Sequence, residues 1–323
     1  MYRSIMQSPL EPSIPTSHSN LAVWLGNAAA DALLVEAALP YKPGLVCPGR
    51  SGSHDDMDYP LMVASAQALR PWFVTFAAIA LASEDDNPKN ILSALRPAGI
   101  RAEEGMFRAT GGVNTHKGAI FALGLLTACS ALVVAGHPAS ARPDESLELS
   151  EAIRALVAVM SGGIIAAELS AERKLQGTNP RESAGERLYR QLGARGARGQ
   201  AEAGYPIVGT RVLPVLRRAR AVSSSVSAAG REAALVEALL GAMAELEDTC
   251  VLSRGELAGL EFVRSGARMV LEHGALATEA GRAALEAFDV ELTARGLSPG
   301  GSADLLAAGI FLDVVEAEHC PSN

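Results

Sequence analysis

Apolar residues recur at helical spacing along most of the chain, and no run of strict alternation is long enough to predict a strand. Asn20 is placed to cap the first helix and Pro40 to end it. The spacing therefore predicts an all-α fold of about ten helices. They cover residues 21–39, 61–82, 88–95, 99–110, 118–136, 147–175, 210–221, 228–252, 255–273, 278–294 and 303–318.

The longest apolar run, residues 118–136, has the sequence GAIFALGLLTACSALVVAG. Its 19 residues reach the length of a membrane span, but Thr127 and Ser130 lie within it and Lys117 directly precedes it. A membrane helix is therefore the weaker alternative. We expect a central, wholly buried helix around which the other helices form a single globular bundle.

Glycine-bearing stretches interrupt the later part of the helical pattern. Gly162 and Gly163 are expected to kink the helix over residues 147–175. Residues 193–206, GARGARGQAEAGYP, show neither a helical nor a strand period, so we expect a loop there.

The first 19 residues contain three prolines and lack the apolar segment of a signal peptide, which indicates a disordered tail. A single all-helical domain is then expected over residues 20–323. Hydrophobic residues make up 49% of the chain and aromatic residues only 4%, so small aliphatic side chains must fill its core.

The net charge of −8 repels nucleic acid and anionic membranes, so we expect neither as a partner. Any polyphosphate ligand must then be held by local cations or by a metal ion. The four cysteines show no C-x-x-C spacing, which argues against structural zinc and disulfides and favours the cytoplasm.

The segment GSHDDMD places His54 beside three carboxylates, Asp55, Asp56 and Asp58. Hard oxygen ligands at that density suit Mg²⁺, which takes one or two carboxylates and completes its shell with phosphates and water. If a helix starts here, Asp55 and Asp58 share a face. The alternative is a solvated, acid-rich helix N-terminus favoured by the macrodipole.

The segment TGGVNTHKGAIF combines a Gly-Gly turn with the start of the central helix, so free backbone N–H groups face outward at its positive end. Lys117 adds a point charge, and Gly118 lets a ligand approach the backbone. The pattern predicts a phosphate cradle, although it is not a P-loop. The alternative is a plain cap by Asn114 and Thr115, which would not call for His116 and Lys117.

Two further polar segments, SPGGSAD and DTCVLSRG, interrupt apolar helices. Gly300, Gly301 and Ser302 lead into a helix and offer an anion-binding nest, although Ser302 could instead cap that helix. Asp248 and Arg254 are six residues apart, too far for one helical face. A mutual salt bridge and separate ligand contacts are both open.

Three charged residues elsewhere are candidates with plain alternatives. Glu36 is either solvent-facing or directed to the loop that begins at Lys42, and Glu103 has Glu104 beside it, so at most one of the two faces inward. Arg198 is either a surface charge or a cation for a phosphate, which an acidic protein needs.

These segments, in this order, resemble the family of ATP:dephospho-CoA triphosphoribosyl transferases, which serve citrate lyase and malonate decarboxylase. The similarity runs from about Glu36 to Leu312, and TGGVNTHKGAIF is its most specific part. GSHDDMD and DTCVLSRG look more like the malonate-decarboxylase branch. This chain has Glu256 where the family pattern leads us to expect a second glycine after Gly255. The segments that carry the similarity are E-x5-KPGLV, GSHDDMD, AEEGM, TGGVNTHKGAIF, GARGQAEAGYP, LPVLRRAR, DTCVLSRG and LSPGGSADLLA.

The resemblance implies that the 2′-hydroxyl of 3′-dephospho-CoA attacks the anomeric carbon of ATP, so that adenine leaves and the triphosphate stays. The site then needs a base, a donor to the purine and cations on the phosphates. It also implies that a separate synthase loads the product onto an acyl carrier protein. The oligomeric state is left open.

Under this resemblance we assign a role to each candidate residue. Glu36 or Glu103 is the base, and His54 is a further catalytic residue. Mg²⁺ is expected on the aspartates Asp55, Asp56, Asp58 and Asp248. Substrate and phosphate contacts are expected from Lys42, Gly44, Asn114, Thr115, His116, Lys117, Arg198, Arg254, Gly300, Gly301 and Ser302.

Two other classes remain alternatives. His54-Asp55 is superficially similar to the metal-dependent HD phosphohydrolases, but the only earlier histidine, His18, falls in the expected tail. A non-catalytic helical nucleotide-binding module would explain the helices and caps, but not three carboxylates beside a lysine loop.

Overall fold

The computed structural model describes residues 17–140, 147–166, 184–221 and 227–319. Twelve α-helices and no strands occur in these ranges, so the predicted all-α class is confirmed. Short 3₁₀ turns follow α4 and α10, and a π turn, Val208–Val212, precedes α8. The helices are α1 His18–Ala38, α2 Tyr59–Leu81, α3 Pro88–Ala109, α4 Lys117–Ala135, α5 Leu149–Ser161, α6 Ala184–Leu192, α7 Gly196–Glu202, α8 Leu213–Ala221, α9 Ala228–Glu245, α10 Thr249–Glu272, α11 Glu279–Ala294 and α12 Gly300–His319.

Helix α4 is the central element, as its apolar sequence predicts. Fourteen of its 19 residues are buried, and α1, α2, α3, α5, α7 and α12 all pack against it. By length and composition, α1 and α4 could each cross a membrane, but 78% of each apolar window is covered by the rest of the protein. That burial is typical of core helices.

Helix α1 begins at His18, three residues earlier than predicted. The side chain of Ser17 accepts a hydrogen bond from the Asn20 amide at 3.3 Å, so Ser17 and not Asn20 caps the helix. His18 and Ser19, which were assigned to the tail, therefore belong to α1. The rest of that tail, residues 1–16, lies outside the described residues.

Helix α3 replaces the two shorter helices predicted on either side of Pro97. Its buried positions continue at helical spacing across the proline, from Leu95 to Ala98 and on to Met106. Pro97 lies on the exposed face. Packing of one continuous apolar stripe thus outweighs the hydrogen bond that the proline removes.

The glycine-bearing stretches also differ from expectation. Helix α5 ends at Ser161, and helical backbone resumes at residues 164–166, so Gly162 and Gly163 break the predicted helix; residues 167–175 lie outside the described ranges. The predicted loop over residues 193–206 contains α7. The carboxylate of Glu202, at the end of α7, accepts from the amides of Gly163 at 3.0 Å and Ile165 at 3.1 Å. That tertiary contact stabilises a helix which local propensity does not favour.

The break between α9 and α10 falls at residues 246–248 and not after Leu252. Asp248 caps α10 by accepting from the Cys250 amide at 2.9 Å. The predicted helix boundary near Gly255 is instead a kink within α10, at Glu256. Its φ of 53° and ψ of −156° lie in a region that glycine normally occupies.

Candidate active site

A buried ion pair joins the end of α1 to the loop that follows it. The Nζ atom of Lys42 lies 2.7 Å from Oε1 of Glu36, and the two side chains are 1% and 4% exposed. Glu36 is therefore directed inward, not toward solvent. Removing either partner would leave an uncompensated charge in the interior, which would destabilise the folded protein.

His116 lies at the start of α4, close to this pair. Thr115 donates to Ser65 at 2.6 Å, and the Ser65 hydroxyl lies 2.7 Å from Nδ1 of His116. Burial and the positive charge of Lys42 lower the pKa of His116 to about 3, so its ring is neutral. With Ser65 donating to Nδ1, the ring proton lies on Nε2.

The Nε2 atom of His116 is buried and has no hydrogen-bond partner among the described residues. Such an orphan donor costs about 1–3 kcal/mol, so it is uncommon unless a ligand satisfies it. His116 is also the residue directly before α4, and its own side chain makes no capping hydrogen bond. The first turn of α4 thus presents unsatisfied donors, as the phosphate-cradle prediction requires.

The rest of the α4 start is held by neighbouring side chains. Asn114 accepts from the Lys117 amide at 3.3 Å, while Lys117 Nζ lies 2.9 Å from Oε2 of Glu103. Thr115 does not cap the helix, because its hydroxyl binds Ser65. The sequence prediction that both Asn114 and Thr115 could act as caps is therefore right for Asn114 only.

Asp248 joins the N-termini of two helices. Its Oδ1 accepts from the amides of Cys250 at 2.9 Å and Gly301 at 3.3 Å, and its Oδ2 accepts from the Ser302 amide at 2.9 Å and hydroxyl at 3.1 Å. The side chain is buried, and burial raises its pKa while these hydrogen bonds oppose the rise. Its oxygens are thus occupied by protein donors.

The anion-binding nest predicted at Gly300, Gly301 and Ser302 is therefore occupied by a carboxylate of the protein itself, that of Asp248. Two of its amides point at Asp248, and Ser302 donates to that carboxylate rather than capping its own helix. Helix α12 begins at Gly300, three residues earlier than predicted, because the carboxylate satisfies its first amides.

Asp304, on the next turn of α12, is a site residue that the sequence reasoning missed. A β-carbon built on Gly118 would lie 2.1 Å from Oδ2 of Asp304, so the carboxylate rests against the first turn of α4. Burial, followed by the charges of Asp248 and Glu36, raises its pKa well above the ordinary value. No described residue donates a hydrogen bond to it. Its position at the end of the SPGGSAD segment was the available signal.

Arg254 binds the loop before α2 instead of Asp248. Its guanidinium donates to Nδ1 of His54 at 3.1 Å and to the Ser53 carbonyl at 3.0 Å. Nε2 of His54 then donates to the Ser298 hydroxyl at 2.8 Å. Desolvation and Arg254 lower the pKa of His54, so this ring too is neutral. The mutual salt bridge of Asp248 and Arg254 does not form.

Cys250, the second residue of α10, is influenced by charges from both Asp248 and Arg254. The pKa of the Cys250 thiol is raised by desolvation and by Asp248 and Asp304, while Arg254 opposes the rise. Asp304 and Arg254 are therefore both close to Cys250. We call Glu36, Lys42, His116, Asp248 and Asp304 the interior cluster; the exposed Cys250 lies beside it, with its backbone amide bound to Asp248.

The three aspartates of GSHDDMD lie on the surface in a turn that precedes α2. Because α2 begins only at Tyr59, the helical face that Asp55 and Asp58 were expected to share does not form. Asp58 instead caps α2 by accepting from the Leu61 amide at 2.9 Å. Asp56 lies 3.4 Å from Nδ1 of His54. Among the described residues, no group of three or more acidic, histidine or cysteine side chains is arranged to hold a metal ion.

Two remaining candidates lie apart from the interior cluster. The Gly44 amide donates to Asp289 at 2.9 Å, so it is engaged in holding the loop. Arg198, on α7, lines a cavity that Glu103 also borders. The structure thus gathers Glu36, Lys42, His116, Asp248 and Ser302 around α1, α4 and α12, and it leaves Gly44, Arg198 and the three surface aspartates outside.

Fold and site together define an all-helical protein with a charged interior next to unpaired donors at a helix N-terminus, a combination suited to phosphorylated substrates. The chain belongs to the ATP:dephospho-CoA triphosphoribosyl transferase family, whose family model matches residues 22–322.

Relatives of similar length share this assignment. The chain is 40% identical to 2-(5''-triphosphoribosyl)-3'-dephosphocoenzyme-A synthase of Escherichia fergusonii over 300 residues, which cover 92% of this chain and 93% of the relative. Identity is also 40% to the protein of that name from Klebsiella pneumoniae, over 90% of each chain. No solved structure matches the chain.

Proposed function

We infer that this chain joins ATP to 3′-dephospho-CoA, giving 2′-(5″-triphosphoribosyl)-3′-dephospho-CoA and adenine. Family membership supports the reaction. We place the site at the start of α4 because two features meet there. The buried Nε2 of His116 has no partner among the described residues, and Asp304 rests against Gly118.

The triphosphate of ATP binds at the first turn of α4. The amides of this turn and the Nε2–H of His116 donate hydrogen bonds to the phosphates. Lys117 adds a positive charge; in the structure its Nζ lies 2.9 Å from Oε2 of Glu103. Lys42 lies behind His116 and offsets part of the negative charge that accumulates there. Arg254 is a positioning residue in this proposal, because it holds His54 and the loop at Ser53.

Asp304 is the base. The sequence predicts Glu36 or Glu103 as the base, but each of these carboxylates already accepts a hydrogen bond from a lysine. Asp304 takes the proton from the 2′-hydroxyl of dephospho-CoA as that oxygen bonds to the anomeric carbon of ATP. The bond from that carbon to the purine breaks and its electron pair goes to a ring nitrogen of adenine. That nitrogen takes up one proton from solvent, which balances the proton that Asp304 removes and later returns to solvent.

Only some of the residues predicted to bind Mg²⁺ are free of protein donors that would compete with the ion. Mg²⁺ usually takes one or two carboxylates and completes its shell with phosphates and water, so it can arrive with ATP and needs no cage of three side chains. Asp55 and Asp56, which are exposed, remain the candidates to hold it, whereas Asp248 is engaged with four protein donors. When bound, the ion would offset phosphate charge.

The product would pass to a separate synthase that loads an acyl carrier protein in the cytoplasm. GSHDDMD and DTCVLSRG favour malonate decarboxylase over citrate lyase as the enzyme served. The HD phosphohydrolase alternative loses support, since both ring nitrogens of His54 are engaged with Arg254 and Ser298.

Incubating the purified protein with ATP, dephospho-CoA and Mg²⁺ tests the reaction. We expect equal amounts of adenine and of a product heavier than dephospho-CoA by the triphosphoribosyl group, measured by chromatography with mass detection. Release of inorganic phosphate without adenine would favour a phosphohydrolase. Tight ATP binding without any turnover would favour a non-catalytic module.

A further inference from the structure

A cavity of about 250 Å³ lies between α2, α3 and α4, outside the interior cluster. Its walls are largely apolar and include the aromatic rings of Phe76 on α2 and Phe121 on α4. Its charged wall residues are Arg96, Glu103 and Arg198. None of the roles given above requires this space.

The cavity adjoins the start of α4 through one residue. Glu103 lines it, and the same carboxylate lies 2.9 Å from Nζ of Lys117. A ligand that placed anionic groups at the first turn of α4 could therefore extend an attached ring into this space. The cavity and the phosphate site would then hold two parts of one molecule.

We propose that this cavity binds the purine base of ATP, the group that the reaction expels; this rests on the proposed function. The volume is below the about 300–1,000 Å³ of pockets for drug-sized ligands, so it suits one heteroaromatic ring system better than an extended tail. Phe76 and Phe121 offer ring faces and edges to a purine. Arg198 offers guanidinium donors to ring nitrogens, which gain electron density as the base departs.

Gly99 provides a way to fill the cavity without disturbing the fold. It lines the cavity from α3, and a β-carbon built on it would meet nothing within 4 Å. A leucine at this helical position also has a higher helix propensity than glycine. The Gly99→Leu variant should therefore fold and occupy the space that the purine needs.

The test compares Gly99→Leu with Ala94→Leu, which adds the same side chain on the exposed face of α3. Two quantities are measured: the dissociation constant of adenine alone, and the KM values of both substrates. We expect Gly99→Leu to weaken adenine binding and raise the KM for ATP at least tenfold, with the KM for dephospho-CoA within twofold of wild type. Gly99→Ala should give a smaller change in the same direction, and Ala94→Leu none.

The outcomes separate this proposal from the reaction itself. Unchanged adenine binding and ATP KM in a folded Gly99→Leu protein would overturn the purine site while leaving the reaction in place. A rise confined to the KM for dephospho-CoA would also overturn it and assign the cavity to the other substrate. A wild-type protein that binds adenine but forms no product would overturn the reaction, and weaker adenine binding by Gly99→Leu would still support the cavity.

Discussion

The carboxylate of Asp304 on α12 rests against Gly118 on α4, at a distance that leaves no room for a β-carbon at position 118. The two residues lie in different sequence segments, and their contact places a carboxylate beside the first turn of the central helix. Glycine is required here by close approach, since its backbone is ordinary helix.

Gly118→Ala should displace the Asp304 side chain and lower kcat at least tenfold. Helix propensity favours alanine by about 0.5–1 kcal/mol, which offsets part of the collision, so the protein should still fold. Steady-state adenine release and a thermal melt measure the two effects. Gly185→Ala on α6 is the matched control, because a β-carbon there meets nothing within 4 Å. Equal kcat values for both variants would contradict the proposed role of this contact.

Buried, neutral His116 should make the protein lose stability in acid. Its pKa is about 3 in the folded protein and 6.5 ordinarily, so between these pH values the unfolded chain binds more protons. Stability contributed by the neutral ring is therefore present above pH 6.5 and is lost as pH falls, at up to about 1.4 kcal/mol per pH unit.

The His116→Asn variant should show a flatter dependence, measured by urea unfolding at several pH values from 7 down to 4. Parallel curves for wild type and variant would show that His116 does not carry this effect.

The buried pair of Glu36 and Lys42 should behave as a unit. Lys42→Met leaves the Glu36 carboxylate without its partner in the interior, and we expect a loss of about 3–5 kcal/mol in the free energy of unfolding. The double variant Glu36→Leu, Lys42→Met should recover a large part of that loss. Denaturant unfolding of both singles and the double completes the cycle; additive effects would contradict the coupling.

Glu256 occupies a backbone conformation that favours glycine, with φ at 53° and ψ at −156°. Glu256→Gly should relieve that strain and raise the free energy of unfolding by about 1 kcal/mol, even though glycine in an ordinary helix is destabilising. Glu256→Ala removes the carboxylate but keeps the β-carbon, so it should not stabilise the protein. Stabilisation by alanine as large as that by glycine would assign the effect to charge.

Apolar spacing was enough to predict the class of fold and the central helix α4, because a helix that is apolar on every side must be buried. The misplaced boundaries share another cause. Helix α3 crosses Pro97 and α7 forms in a glycine-rich segment because tertiary contacts, such as Glu202 with Gly163, outweigh local propensity. Such contacts join residues far apart in sequence, which periodicity cannot detect.

The sequence identified which segments form the candidate site, but it did not identify what each residue does there. Lys42, His116 and Lys117 were selected from polar motifs, and the structure brings them to the start of α4. Asp248 was expected to bind metal, but the donors that occupy it come largely from residues more than 50 positions away. Asp304 was overlooked because a single aspartate after a Gly-Gly-Ser turn has many ordinary explanations.

The most direct test of the account is the rate of adenine formation by Asp304→Asn at saturating ATP and dephospho-CoA. No described residue donates to this carboxylate, so the amide should leave the fold and the KM for ATP nearly unchanged. Loss of a general base predicts a fall in kcat of about 10²–10⁴-fold. A kcat within threefold of wild type, in a protein with an unaltered melting temperature, would contradict the placement of the reaction at Asp304.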